Sequence, residues 1–307
     1  MSDSVVTRAA ALVDEYLLLW VLLSVGVGLV VPSAAALTPL STPILAVMIG
    51  AVSLTLAPEQ FRQLRGRALL VILVVQTGMP LLAFAIARLL GLGPALTAGF
   101  VVLGAVTPEL VTPTMTELSG GDTALSTVVL VAVGLGSLVF VPGVATLFLG
   151  DSVTVAPILI VEQLLLAVVI PMSLAVAVRY RWPDRIGRYN DIYPSVSGLM
   201  VILIIGIVAA ANAAVVRDSV SVLLLIAAAA LALNCSGYVA GWLVSWNFSR
   251  GERIAATLSI GMRDFAVAAA LLVSADFPTA ATLPAVVFGI IEMTTSAGLA
   301  KWFSRPR

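Results

Sequence analysis

The chain contains no histidine and a single cysteine, Cys235. A disulfide framework is thereby excluded, as are a His-based zinc site and a haem held by histidine, and any proton traffic must run through carboxylates. Cys235 reads as a small packing residue rather than a reactive thiol. Charge is also scarce. Asp, Glu, Lys and Arg make up 10 % of 307 residues, and the net charge is zero. No nucleic-acid partner is expected. An HExxH motif, a metal cluster and a Ser/His pair are all missing, so nothing points to an enzyme.

What is present is apolar. Hydrophobic residues make up 61 % of the chain, and the mean hydropathy of +1.13 lies far outside the soluble range. Apolar runs recur from end to end with short polar connections, leaving no room for a soluble domain. We read residues 1–307 as one polytopic membrane domain. The start, "MSDSVVTRAAALVDEYLLLW", lacks a strongly basic region and a small-residue cleavage site, so no cleaved signal peptide is expected.

Ten candidate spans follow: 15–32, 40–57, 68–90, 94–118, 122–149, 155–178, 192–214, 219–246, 253–274 and 280–303. Basic residues provide an independent check, because short cytoplasmic loops collect Lys and Arg. With the N-terminus inside, the cytoplasmic segments hold Arg8, "EQFRQLRGR" (59–67), "RYRWPDRIGRYND" (179–191), "SRGER" (249–253), and Lys301, Arg305 and Arg307; the other side has only Arg88 and Arg217. The expectation is a multi-pass protein of the cell (inner) membrane with both termini cytoplasmic. The long basic connection divides the chain into halves, 1–178 and 179–307. Five spans per half force opposite topologies, so related halves would form an inverted repeat. "LSGGDTALST" (118–127) against "VSADFPTAAT" (273–282) is a faint echo of one.

The fourth and ninth spans are unlike the rest. The fourth contains "TPELVTPTMTELSGGD", with Pro108 and Pro113 five residues apart and Glu109, Thr112, Thr114 and Thr116 in or beside the break they imply. The ninth contains Gly261 and the adjacent pair Arg263 and Asp264. A charge near the bilayer centre costs about 2.5–3.5 kcal/mol on insertion scales. Paired interrupted helices, one per half, mark a midplane substrate site. On a helix Arg263 and Asp264 would point about 100° apart and could not neutralise each other on one face. Arginine keeps its proton, so it must pair with an acid (Glu109, Asp264 or Glu292 are at hand) or with an anionic ligand. Further polar residues in spans are Gln76, Ser126, Asn212, Asn234, Ser259, Thr294, Thr295 and Ser296. Lone hydroxyls such as Ser126 or Thr295 usually bond back to the preceding turn. Asn234 and Gln76 are harder to dismiss.

These residues resemble the bile acid:sodium symporter family over nearly the whole chain: "QTGMP" in the third span, "GGDTALS" opening the fifth, "NCSGY" in the eighth and "IGMRDFAVAAAL" in the ninth. The resemblance implies an all-α membrane protein of ten transmembrane helices in two inverted five-helix repeats. It further implies panel and core domains, with broken, crossed fourth and ninth helices. It places the family's sodium ligands on Gln76, Thr112, Pro113, Ser126, Leu130, Ser259, Ile260, Met262 and Arg263. The pattern departs in places: Ser259 stands where the family has an acid, Arg263 where it has Gln, and Asp264 where it has Asn. Pro113 replaces a ligating Asn and Leu130 a ligating Thr. Glu109 stands at a Gly of the family's Pro-Gly-Gly run, and Glu292-Met293 stands for a His-Asn pair. Losing the acid at 259 and gaining Arg263 changes the charge by +2, equal to two sodium ions. Asp264 lies outside that tally and lowers it by one if ionised.

The expected function is that of a secondary transporter of a small organic anion or amphipathic carboxylate by alternating access. Its substrate site would comprise Glu109, Thr112, Pro113, Asn234, Arg263, Asp264, Glu292 and Thr294, and its cation site Gln76, Thr112, Ser126, Ser259 and Met262. The coupling ion is sodium or a proton, with Arg263 read as a tethered cation in place of sodium. No other cofactor is expected, the lipid bilayer is the surrounding partner, and the chain is taken as a monomer. The alternatives are a proton-coupled or uncoupled exporter on the same fold, arsenite- or auxin-efflux-like, and a membrane sensor without flux. The lack of cysteine in the fourth span weakens arsenite.

Overall fold

The computed structural model describes residue 10 and residues 12–56, 66–150 and 156–305, and among these every regular element is helical. In hydrocarbon the backbone must satisfy its own hydrogen bonds, which these apolar segments do as helices. They are α1 (Leu17–Val30), a 3-10 turn (Pro32–Leu40) leading into α2 (Ser41–Ser53), α3 (Gly66–Leu89), α4 (Pro94–Ala105), α5 (Thr112–Leu118) and α6 (Thr123–Leu149). Then follow α7 (Pro157–Leu164), joined by a π turn to α8 (Ile170–Arg181), the short α9 (Pro183–Gly187), α10 (Tyr193–Ala211), α11 (Ala213–Asp218) and α12 (Val220–Val244). The chain closes with α13 (Arg250–Gly261), α14 (Phe265–Ser274) and α15 (Leu283–Phe303).

Among the described residues, eight helical stretches are long and apolar enough to cross a membrane. The first and fourth expected spans fall instead on shorter apolar helices, Leu17–Val30 and Pro94–Ala105. Of the basic residues expected in cytoplasmic loops, Arg8, Arg307 and all of 59–65 lie outside the described residues. Arg67, at the start of α3, sits 6.0 Å from the Phe248 ring that precedes α13. Arg250 donates to the carbonyl of Phe303 at the end of α15. Several basic helix ends therefore meet at one end of the molecule.

The helices pack in two groups. In one, α1 and α2 lie against α10, and α2 against α8. In the other, α3, α4, α6, α12, α13 and α15 pack on one another, with α14 touching both groups. Without water to drive association, membrane helices are held by close backbone approach. In the first group, a Cβ on Gly28 would lie 2.4 Å from the Gly206 carbonyl oxygen, and Ser24 donates to the carbonyl of Ile202 at 2.6 Å. In the second, Gly237 and Gly241 form a G-x-x-x-G stripe on α12. A Cβ there would meet Gly261 Cα at 2.8 Å or Thr257 Cα at 2.6 Å. That stripe lets α13 lie directly against α12. The Arg250–Ser274 stretch is consequently enclosed, with 94 % of its apolar window buried against 28 % for Gly66–Leu89. Non-helical backbone is tolerated at membrane depth only in such enclosure. Cys235 departs from expectation: it is exposed on α12, one position beyond the buried Asn234, and packs into no core.

Candidate functional site

Two helix interruptions build the site. In the first, α4 stops where Val106 turns extended (φ −70°, ψ 173°), and the chain stays non-helical until Thr112. Pro108 cannot supply the next intrahelical donor, while Pro113 falls in the first turn of α5, where a missing N–H costs nothing. In the second, α13 ends at Gly261 and Met262 is extended (φ −83°, ψ 134°). Asp264 then caps α14, its Oδ1 accepting from Val267 N at 2.8 Å. The two interruptions meet backbone to backbone, Asp264 N donating to the carbonyl of Thr107 at 3.0 Å.

Extended backbone sends neighbouring side chains to opposite sides rather than 100° apart. Arg263 goes one way, and lines a cavity of about 160 Å³ together with Gln76, Ala105, Val133 and Phe140. Its Nη1 donates to Val106 O at 3.3 Å and its Nη2 to Ile260 O at 3.2 Å. Its Nε has no partner among the described residues. Asp264 goes the other way, into the electrostatic reach of Glu109 and Glu292. The expected pairing of Arg263 with an acid is therefore corrected: no carboxylate among the described residues lies within ion-pair distance, and two backbone carbonyls hold the guanidinium. The helix-based geometry failed because the pair does not sit on a helix.

On the acid side, Glu109, Asp264 and Glu292 are 6 %, 0 % and 1 % exposed. The backbone amides of Leu110 and Phe265 lie against Glu109, yet among the described residues Glu109 Oε2, Asp264 Oδ2 and Glu292 Oε2 are all without a hydrogen-bond partner. Asn234 closes this side. Its Nδ2 donates to Gly261 O at 3.2 Å, and its Oδ1 accepts from Thr295 Oγ1 at 2.7 Å. Thr112 is buried with an unpartnered Oγ1, and Pro113 is buried beside it.

Of the expected cation-site residues, Gln76 donates through Nε2 to Ser259 O at 2.8 Å, leaving its Oε1 unpartnered. Ser126 Oγ and Ser259 Oγ are 3.4 Å apart. Met262 is fully buried among Ile254, Leu258 and Phe303. This set does not fit a sodium ion. Leu130 lacks the hydroxyl and Ser259 the acid that the resemblance requires, and the carbonyl of Ile260 already accepts from a fixed positive charge. A second cation beside it would meet like-charge repulsion in buried surroundings.

One expected substrate residue is misplaced. Thr294 is exposed and its hydroxyl returns to Ile290 O at 2.9 Å, so it stands outside the site. Two positions on an α-helix are about 200° apart, so Thr294 faces away from Glu292, whereas Thr295, three positions on, returns to its side. Thr295 is the residue that joins Asn234, and reading it as a self-satisfied hydroxyl missed this. Tyr238 was missed as well. It lies one turn beyond Asn234 on α12, packs on Gly261, and is within reach of Glu292, Thr295 and Asn234. The i, i+4 spacing of Asn234 and Tyr238 was the available signal.

Comparison with known proteins identifies the family of the chain. The sequence pattern of the Sodium Bile acid symporter family matches residues 42–219. The chain is 26 % identical over 296 residues to the "Uncharacterized sodium-dependent transporter YocS" of Bacillus subtilis (strain 168), covering 94 % of this chain and 90 % of that one. It is 27 % identical over 166 residues to the "Probable sodium/metabolite cotransporter BASS3, chloroplastic" of Oryza sativa subsp. japonica, covering 54 % of this chain and 39 % of that one.

Proposed function

The chain belongs to the Sodium Bile acid symporter family, a family of membrane transporters, and on that footing we propose that it is a secondary transporter working by alternating access. In this reading ten spans form two inverted halves, 1–178 and 179–307, in the cell membrane, with both termini cytoplasmic and the monomer as the working unit. Labelling Ser152→Cys and Arg185→Cys in a Cys235→Ala background tests the topology. Equal labelling from outside would sink it.

The substrate is a small organic anion or amphipathic carboxylate bound where the two interruptions cross. The observation that carries the coupling mechanism is the hydrogen bond from Arg263 Nη2 to the carbonyl of Ile260. Family resemblance assigns that carbonyl to sodium; here it accepts from a covalently attached positive charge. Because a tethered cation cannot leave, it cannot couple transport to a sodium gradient. Glu109, Asp264 and Glu292 are the groups able to exchange a cation, as protons, so transport is expected to respond to pH more than to sodium. Their unpartnered oxygens at the crossing support this assignment.

Counterflow in proteoliposomes tests the transport reading. Exchange of labelled for unlabelled organic anion without a sodium gradient supports it. Saturable binding without exchange would instead describe a sensor built on a transporter fold.

A further inference from the structure

At the end of the molecule where basic helix termini gather, a cavity of about 310 Å³ opens between the ends of α12, α13 and α15. Three arginines line it: Arg250 and Arg253 from the first turn of α13, and Arg305 just beyond α15. Its wall is aromatic. Trp242, Trp302 and Phe303 form a mutual cluster with ring centroids 5.0–6.2 Å apart.

Among the described residues, Arg253 and Arg250 are held by this wall rather than by acids. The guanidinium carbon of Arg253 lies 3.5 Å from the Trp242 ring centroid, and its Nε donates to Trp242 O at 3.1 Å. Arg250 donates to Phe303 O at 2.5 Å. Arg305 makes no hydrogen bond with a described residue. The carboxylate of the same turn, Glu252, is engaged by the amide and hydroxyl of Ser249 as a helix cap. Arg253, stacked and bonded once, and Arg250, bonded once, keep other N–H groups for a ligand, and their planar forks match phosphate oxygens. Trp302 and Trp246 are 51 % and 69 % exposed, the placement tryptophan takes at the level of lipid head groups.

We propose that this pocket binds a phosphate group, carried by an anionic phospholipid of the surrounding leaflet whose glycerol backbone lies on the tryptophan wall. A basic, aromatic-walled pocket between span ends suits such a head group, and each arginine near the surface contributes about a fivefold gain in affinity. The site is independent of the transport reading.

The test is titration of the full-length purified protein in neutral detergent with phosphatidylglycerol, phosphatidylcholine and soluble glycerol 3-phosphate, read by native mass spectrometry and by thermal unfolding. The proposal expects phosphatidylglycerol to bind saturably and ahead of phosphatidylcholine. Arg305→Gln and Arg250→Gln should each weaken it about fivefold. Arg305→Gln is the clean variant, since no hydrogen bond with a described residue is lost. If glycerol 3-phosphate binds equally well and is weakened by the same variants, the phosphate site stands and its ligand comes from solution. If neither ligand binds, or phosphatidylglycerol binds Arg305→Gln as tightly as the unmutated protein, the proposal is overturned.

Discussion

The two interruptions at the centre of the molecule are made by opposite means. The first, at 106–111, is written in proline: Pro108 withholds an amide and Pro113 starts the next helix. The second, at 262–264, contains no proline. It is made by Gly261, which lets α13 press on Tyr238, and by Asp264, which caps α14 with its own carboxylate. A break made by proline depends on what the backbone cannot do, and so tolerates its neighbours. A break made by packing and a cap depends on what its side chains do, and so should fail when they are altered.

The largest expected effect tests that asymmetry at Gly261. A Cβ there would lie 2.1 Å from the Tyr238 ring. Gly261→Ala is expected to destabilise by about 3 kcal/mol, as severe overpacking does, and to abolish folded protein in size-exclusion chromatography. Gly298→Ala, where nothing lies within 4 Å, is the control, expected to unfold no earlier than the parent. Equal behaviour of the two would remove the packing explanation.

A smaller effect separates the cap from the charge at Asp264. Asn retains an oxygen that can accept from Val267 N, whereas Ala does not. Asp264→Ala should lose about 1 kcal/mol of stability while Asp264→Asn stays within a few tenths. If the alanine variant melts with the asparagine variant, the cap does not hold the second interruption.

The smallest effect belongs to the first interruption. Pro113→Ala restores an amide that the first helical turn does not need, and frees the unfolded chain. A loss of about 0.5 kcal/mol is expected. A loss as large as that of Gly261→Ala would mean that both breaks rest on packing.

Much of this arrangement is legible in the sequence. Pro108, Pro113 and the Arg263-Asp264 pair locate both interruptions, and "NCSGY" and "IGMRDF" carry the family likeness. The direction of the charges is not legible. A helical reading of 263–264 places both side chains on adjoining faces and demands an acid for Arg263. Once Met262 is extended, the two side chains separate and backbone carbonyls freed by the breaks take the guanidinium. Carbonyl acceptors leave no mark in a sequence, because every residue has one. Thr294 and Thr295 are indistinguishable by composition, and only the rotation of α15 relative to Asn234 selects the second. Tyr238 carries a sequence signal in its i, i+4 spacing from Asn234, but its packing on Gly261 is visible only in the fold.

The central claim, that Arg263 stands where a sodium ion would otherwise be held, is tested most directly by thermal unfolding of the purified protein across a sodium titration at constant ionic strength, with choline as the replacement. A ligand that binds only the folded protein raises its stability with the logarithm of concentration beyond its dissociation constant. The unmutated protein is expected to unfold at the same temperature in sodium and in choline. The double variant Arg263→Gln with Ser259→Glu, which restores the family's residues at both positions, should gain a saturable, sodium-specific rise. A saturable rise with sodium in the unmutated protein would contradict the account, because it would require an intact sodium site beside the guanidinium.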